Sequence, residues 1–268
     1  MHRIVALVLA AMFLLELISC ASSINKVETD SNEPFKVNNP NASFFDVKSR
    51  TELLRTTKDP LLLNAAAQFY EGDCSGLLRI EPVDQSLRIP YYYQNRAKHD
   101  EAATPLVIFE NVITTLAALY VKTGNSSYAN CLLSILSEWA EKNSLAKFDD
   151  SDGWNQVWYN VDWSASSAGF AYSIIKDNPN LNPDTKLRVE KWLNRVARRL
   201  TTFQSQDTDC CNNHQCWRGV AAAIIGVISN DDYLFRFGIK VYLAQMKDMN
   251  KGGSLPLEMI RGSMAIYY

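Results

Sequence analysis

Thr104-Pro105-Leu106-Val107-Ile108-Phe109-Glu110-Asn111-Val112-Ile113-Thr114-Thr115-Leu116-Ala117-Ala118-Leu119-Tyr120-Val121-Lys122-Thr123-Gly124 is the stretch that decides the fold class. A capping residue precedes proline at a first helical position, and Val107, Ile108, Val112, Leu116 and Leu119 return at helical spacing before Gly124 closes the run. The pattern predicts a helix from Thr104 to Gly124. Working outward, Ser126 opens a second helix with Leu132, Leu133, Ile135, Leu136 and Trp139 inward, and Trp154 to Ile175 reads as a third. Asn182 and Pro183 cap a fourth through Leu187, Trp192, Val196 and Leu200, and Val220 to Ile228 and Tyr233 to Met249 continue the series. There is no convincing alternating strand run and no glycine-rich phosphate loop, so the class is all-α and a nucleotide-binding α/β fold is excluded. Helices of similar length joined by short polar turns point to paired helices wound into a toroid.

The chain has 268 residues and is 47% apolar, enough to bury a sizeable core. A formal net charge of −2 gives no field for nucleic acid, so an anionic ligand has to be met by locally placed Arg and Lys. Met1, His2 and Arg3 lead into an apolar run from Ile4 to Leu15 that ends at Leu17-Ile18-Ser19-Cys20, a leader too short to span a membrane after trimming. That ending resembles the lipobox of bacterial lipoproteins, although Glu16 inside the apolar run departs from it. The expectation is a lipoprotein-type signal peptide over 1–20, a flexible tether over 21–42 rich in Asn, Ser, Pro and charge, and a catalytic domain over 43–268. It places the protein in the periplasm, anchored to the outer membrane by a lipidated Cys20, with no other membrane contact.

Beyond Cys20 the cysteines are Cys74, Cys131, Cys210, Cys211 and Cys216, whose spacing leaves the connectivity open and whose odd number leaves one thiol over. Only His99 and His214 remain beyond the leader, too few for zinc-ligand spacing, so neither a metal nor a cofactor is expected.

Two stretches break the helical pattern in ways that packing does not require. One is Cys210-Cys211-Asn212-Asn213-His214-Gln215-Cys216-Trp217-Arg218-Gly219, a loop or helix start ahead of an Ala-rich helix; the other runs from Gly252 to Tyr268. In the second, Arg261 and Tyr268 stand seven residues apart, which on a helix puts both on one face roughly 10 Å apart at the backbone. Asn213, His214, Arg261 and Tyr268 together supply an amide, an imidazole, a guanidinium and a phenol. That set suits β-elimination on a uronic-acid polymer, where the proton beside the sugar carboxylate is very weakly acidic until the carboxylate's charge is neutralised by preorganised donors. Arg261 supplies the ionic donor, Asn213 a neutral one, and His214 a third contact or a base. A nearby Arg lowers the phenol's pKa from its ordinary value of about 10, so Tyr268 can take a proton and return it.

These residues resemble the alginate lyase family, typified by periplasmic mannuronate-specific lyases: Asn-Asn-His followed by Trp217, and Leu-Pro-Leu-Glu then Arg-Gly ahead of a Tyr. The resemblance implies Asn213, His214, Arg261 and Tyr268 as the catalytic set and Trp217 as a substrate-binding wall. It implies an incomplete (α/α) toroid with a deep cleft, a Cys210 to Cys211 disulfide, and a Cys74 to Cys131 bridge. The substrate implied is an acidic polysaccharide, alginate with poly-mannuronate preferred, cut to unsaturated oligouronates by a monomer. Gln215 and Cys216 replace the residues usual between the His and the Trp, and the family's basic lid residue is sought within Tyr91-Tyr92-Tyr93-Gln94-Asn95-Arg96-Ala97-Lys98. Relatives run on through further helices, so the resemblance implies a chain whose C-terminal helices are missing. A terminal α-carboxylate at Tyr268 would then oppose the Arg and raise the phenol's pKa.

Two other classes stand beside this one. A glycoside hydrolase on a helical toroid needs two opposed carboxylates, for which Asp149, Asp150, Asp152 and Asp162 are candidates. A non-catalytic polysaccharide-binding lipoprotein needs only Trp217 and the basic groups. Trp139, Trp154, Trp158, Trp163 and Trp192 recur at helical intervals and read as core, with Trp158 or Trp163 as alternative sugar platforms. Arg195, Arg198 and Arg199 read as a solvated helix face.

Overall fold

The computed structural model describes residues 35–69, 71, 72, 74, 80–84, 86–148, 156–202 and 213–259. Among these the regular elements are all helical: α1 (Val47–Thr56), α2 (Pro60–Ala67), α3 (Arg96–Thr123), α4 (Ser126–Glu141), α5 (Val157–Ile175), α6 (Pro183–Thr202), α7 (Asn213–Ile228), α8 (Asp232–Asp248) and the single turn α9 (Pro256–Met259). α3 packs on α5 and α5 on α7, while α4 lies on α3 and α6, α6 on α7, and α8 on α7. The chain alternates between an inner row (α3, α5, α7) and an outer row (α4, α6, α8), the plan of an α/α toroid.

Burial follows this plan. α5 is covered nearly all round, polar Asn160, Asp162, Ser164 and Ser166 included, because it is flanked by inner neighbours and backed by the outer row. α6 buries one stripe, Val189, Trp192, Leu193, Val196, Ala197 and Leu200, and leaves the rest to water. Trp139 and Trp192 are fully buried core residues, as their spacing predicts. Trp139 stacks on Phe109 with centroids 3.7 Å apart, and Trp192 donates from Nε1 to the Ser144 carbonyl at 2.6 Å. Trp154 lies outside the described residues.

Two helix starts differ from expectation. α3 begins at Arg96, not Thr104, because Asn95 supplies the cap, its side chain accepting from Lys98 N at 3.1 Å. Pro105 therefore lies inside the helix. It is exposed, and beside it the Thr104 hydroxyl donates to the Asp100 carbonyl at 2.8 Å. The helix passes through because its proline faces water, where the unpaired carbonyl of the preceding turn is solvated. α7 begins at Asn213, seven residues before the Ala-rich run at Val220, so Asn213 and His214 sit in a helical first turn.

Arg198 is more than a solvated charge. It donates to Asp231 Oδ2 at 2.6 Å, beside Asn194 at 2.8 Å, while Asp231 Oδ1 caps α8 by accepting from Tyr233 N and Leu234 N. α6 is thereby tied to the start of α8. At the N-terminal side, Val37 N donates to Asp232 and Lys176 to the Pro40 carbonyl, so this segment is bonded to α8 and α5. A disulfide joins Cys74 to Cys131 of α4, as the resemblance implied; Cys210 and Cys211 lie outside the described residues.

α7 and α8 form a close antiparallel hairpin. A Cβ on Gly219 would lie 2.6 Å from Val241 Cγ1, and one on Gly238 would lie 2.5 Å from Ala223 Cβ and 2.6 Å from the Gly219 carbonyl oxygen. Glycine is required at both positions because the helices approach closer than any side chain allows. The pairs 219 with 241 and 223 with 238 set the register, which carries Asp248 to the level of Asn213.

Candidate active site

The site is built from the first turn of α7, the first two turns of α5 and the segment that leads into α3. The described part of α7 opens with Asn213 and His214, one turn ahead of Trp217. Asn213 is buried and His214 half-buried, whereas Trp217, one turn on, is 39% exposed. Gln215, Arg218 and Gly219 turn inward. The helical phase thus separates an exposed Trp217 from a packed Arg218.

His214 stands between two aromatic walls. Its ring centroid is 4.7 Å from Tyr159 and 5.4 Å from Trp158, each at 60°. Trp158 is capped on another side by the Arg218 guanidinium, 5.2 Å from its ring centroid, and Arg218 Nη2 lies 3.5 Å from Asp162 Oδ2. Tyr159 also meets Trp163 edge-on at 5.1 Å. Trp158 is therefore a packed wall, while half-buried Trp163 extends the aromatic row that Tyr159 starts.

The Tyr159 hydroxyl reaches His99 Nε2 at 3.1 Å and Gln156 Oε1 at 3.3 Å. Burial pushes this phenol well above its ordinary pKa, so it stays protonated and serves as a donor. His99 Nδ1 is 2.8 Å from the Pro90 carbonyl oxygen. Gln156 N donates to the Ile89 carbonyl, and Gln156 Oε1 accepts from Tyr92 N, both at 2.8 Å. The tyrosine-rich segment is thus fastened at its base to the head of α5. Beyond that base Tyr93 is 61% exposed, and the Arg96 guanidinium lies 5.5 Å from the Tyr92 ring centroid and 3.5 Å from Asp100. Arg96 and Lys98 are the basic groups of this segment.

Of the residues expected from sequence, Asn213, His214 and Trp217 share one helix end. Arg261 and Tyr268 lie outside the described residues. Sequence reasoning missed Tyr159, Gln156 and His99. Gln156, Tyr159 and Trp163 stand at i, i+3 and i+7, one helical face, which was a usable signal; His99 is 60 positions from Tyr159 and had none. Asp162, a candidate hydrolytic carboxylate, is fully buried against Arg218 and cannot oppose a second acid across a cleft. Asp149, Asp150 and Asp152 lie outside the described residues.

With that geometry in hand, similarity to known proteins becomes informative. The alginate lyase family profile matches residues 46–268. A polysaccharide lyase of Stenotrophomonas maltophilia is 26% identical over 225 residues, which is 80% of this chain and 66% of that protein. An alginate lyase of Pseudomonas syringae pv. syringae is 25% identical over 63% of this chain and 45% of its own length. Among solved structures, alginate lyase A1-III from Sphingomonas species A1 has a TM-score of 0.79 and 40% identity over 89% of this chain and 69% of that chain. A histidine-to-alanine variant of alginate lyase A1-III, complexed with a tetrasaccharide, has a TM-score of 0.81. The chain thus spans about two thirds of the first of these relatives and under half of the second.

Proposed function

Because the chain belongs to the alginate lyase family, we propose that it cleaves alginate, with mannuronate blocks preferred, by β-elimination to unsaturated oligouronates. The observation that carries this reading is the setting of His214: a half-buried imidazole in a helical first turn, beside the Asn213 amide and between Trp158 and Tyr159. The α7–α8 register supports it further, since the antiparallel pairing brings the chain leaving Asp248 back to the level of Asn213. That chain carries Arg261 and Tyr268.

In the proposed reaction Arg261, Asn213 and His214 meet the sugar carboxylate and withdraw its charge, so the neighbouring C–H becomes acidic enough to lose its proton. Tyr268 takes that proton. The electron pair forms the carbon–carbon double bond, the glycosidic carbon–oxygen bond breaks, and the proton passes to the leaving oxygen, so no water is consumed. Trp217, exposed one turn beyond His214, offers a face to a sugar ring. We further propose an exported, lipid-anchored enzyme, on the leader ending at Cys20; the Cys74 to Cys131 disulfide fits an oxidising compartment.

The test is incubation with poly-mannuronate, poly-guluronate and neutral glucan while following the ultraviolet absorbance of the new conjugated double bond. Absorbance rising fastest with poly-mannuronate supports the proposal. Chain shortening without that absorbance would identify a hydrolase, and binding without shortening a non-catalytic module.

A further inference from the structure

His99 is a 5% exposed imidazole that the proposed reaction does not use, yet both its ring nitrogens are engaged. Pro90 offers only a carbonyl oxygen, and a carbonyl only accepts, so the 2.8 Å contact requires a proton on His99 Nδ1. In the neutral ring Nε2 is then a bare acceptor, and the Tyr159 hydroxyl at 3.1 Å must donate to it. The competing acceptor, Gln156 Oε1, is farther at 3.3 Å and already takes the Tyr92 N–H at 2.8 Å. One backbone carbonyl thereby sets the tautomer of His99, and the tautomer sets the direction of the phenol hydrogen.

We propose that His99 is a positioning residue for His214, acting through Tyr159: the Pro90 carbonyl, His99, the Tyr159 phenol and the His214 ring form a chain that holds the imidazole at its working angle. The chain is continuous. Tyr159 is bonded at its hydroxyl to His99, and its ring packs against His214 at 4.7 Å. Trp158, which Arg218 holds, packs against His214 at 5.4 Å and against Tyr159 at 5.5 Å, so the two aromatic walls brace one another. Without the bond to His99 the Tyr159 hydroxyl keeps only Gln156, at 3.3 Å, and the wall beside His214 is less firmly placed. A displaced catalytic group costs rate far more than affinity. The same link joins Pro90, ahead of the tyrosine-rich segment, to the turn that holds His214, beside the bonds that Gln156 makes to Ile89 and Tyr92.

The proposal rests on the lyase reading, and its test separates the two. In histidine-¹⁵N-labelled protein at pH 8, His99 is expected as the neutral tautomer with Nδ1 protonated and Nε2 bare. His99→Leu is expected to shift the His214 ring resonances and lower kcat at least about tenfold with KM little changed. His99→Gln keeps an acceptor for the Tyr159 hydroxyl and is expected to recover most of kcat and the native His214 shifts. In a Tyr159→Phe background His99→Leu should add little, since both substitutions cut one chain. A protonated Nε2, losses that multiply, or a Gln variant as impaired as Leu would overturn the proposal. If wild-type protein forms no double bond, the lyase reading falls alone; the tautomer and the His214 shifts still decide the role of His99.

Discussion

The Arg218 guanidinium lies 3.5 Å from the Asp162 carboxylate with 4% and 0% of the two side chains exposed, and the same guanidinium rests over Trp158. A pair this deep gains little net stability, but removing one member strands the other in a medium that cannot solvate it. Asp162→Ala is therefore expected to lower unfolding stability by about 3–5 kcal/mol in urea titration. Asp162→Leu combined with Arg218→Met should recover most of that loss. It should still turn over more slowly, because Trp158 has lost its cation.

His214→Ala and Asn213→Ala are each expected to reduce the rate of double-bond formation by roughly 10²–10³-fold, the scale of losing one preorganised donor to a developing charge. Asn213 is buried and His214 is packed between Trp158 and Tyr159, so each variant should also melt somewhat below wild type, and rates are compared at a temperature where both remain folded. Trp217→Ala, by contrast, should raise KM more than it lowers kcat, as expected for a contact equally strong before and during reaction.

Burial of Glu110, eased by the Ser164 hydroxyl at 2.6 Å, raises its carboxyl from 4.5 to about 7. Below pH 4.5 the carboxyl is neutral folded or unfolded, and nothing is lost. Between 4.5 and 7 the unfolded chain gives up the proton first, so stability falls as pH rises. Above that window the cost is fully present, about 3 kcal/mol at most. Glu110→Gln should flatten this part of the pH–stability curve and be the more stable protein at pH 8, as thermal melts across the window would show.

Gly238→Ala is expected to cost about 1–3 kcal/mol. The added methyl would meet Ala223 and the Gly219 carbonyl, both on α7, and neither can move without shifting the helix. Hydrogen exchange should quicken in α7 and α8 while the α3–α4 pair keeps its protection.

Helix content was legible because Leu, Val and Trp recur every three or four residues, and that periodicity survives any tertiary context. Helix starts were less so. Pro105 after Thr104 has the form of a helix N-terminus, and only the cap at Asn95 together with the outward face of Pro105 shows the helix passing through. Asn213 and His214 stood out in the sequence because an Asn-His-Trp grouping has no packing reason. Their place inside α7 was not, since two polar residues ahead of an Ala-rich run look the same as a loop. The His99 to Tyr159 bond spans 60 positions and leaves no local trace; such partners emerge only when α3 and α5 are laid side by side.

The α7–α8 hairpin acts as a pair of tongs. Its closed end is the tight turn at Asn230, where the backbone takes a positive φ of 50° and Asp231 caps the outgoing helix. Its jaws are Asn213 and Asp248, about 24 Å away along sixteen residues of helix. How closely the two shafts approach is set at the glycine crossings midway along them. A single methyl group there would shift the helix end that carries Asn213 and His214, many residues away.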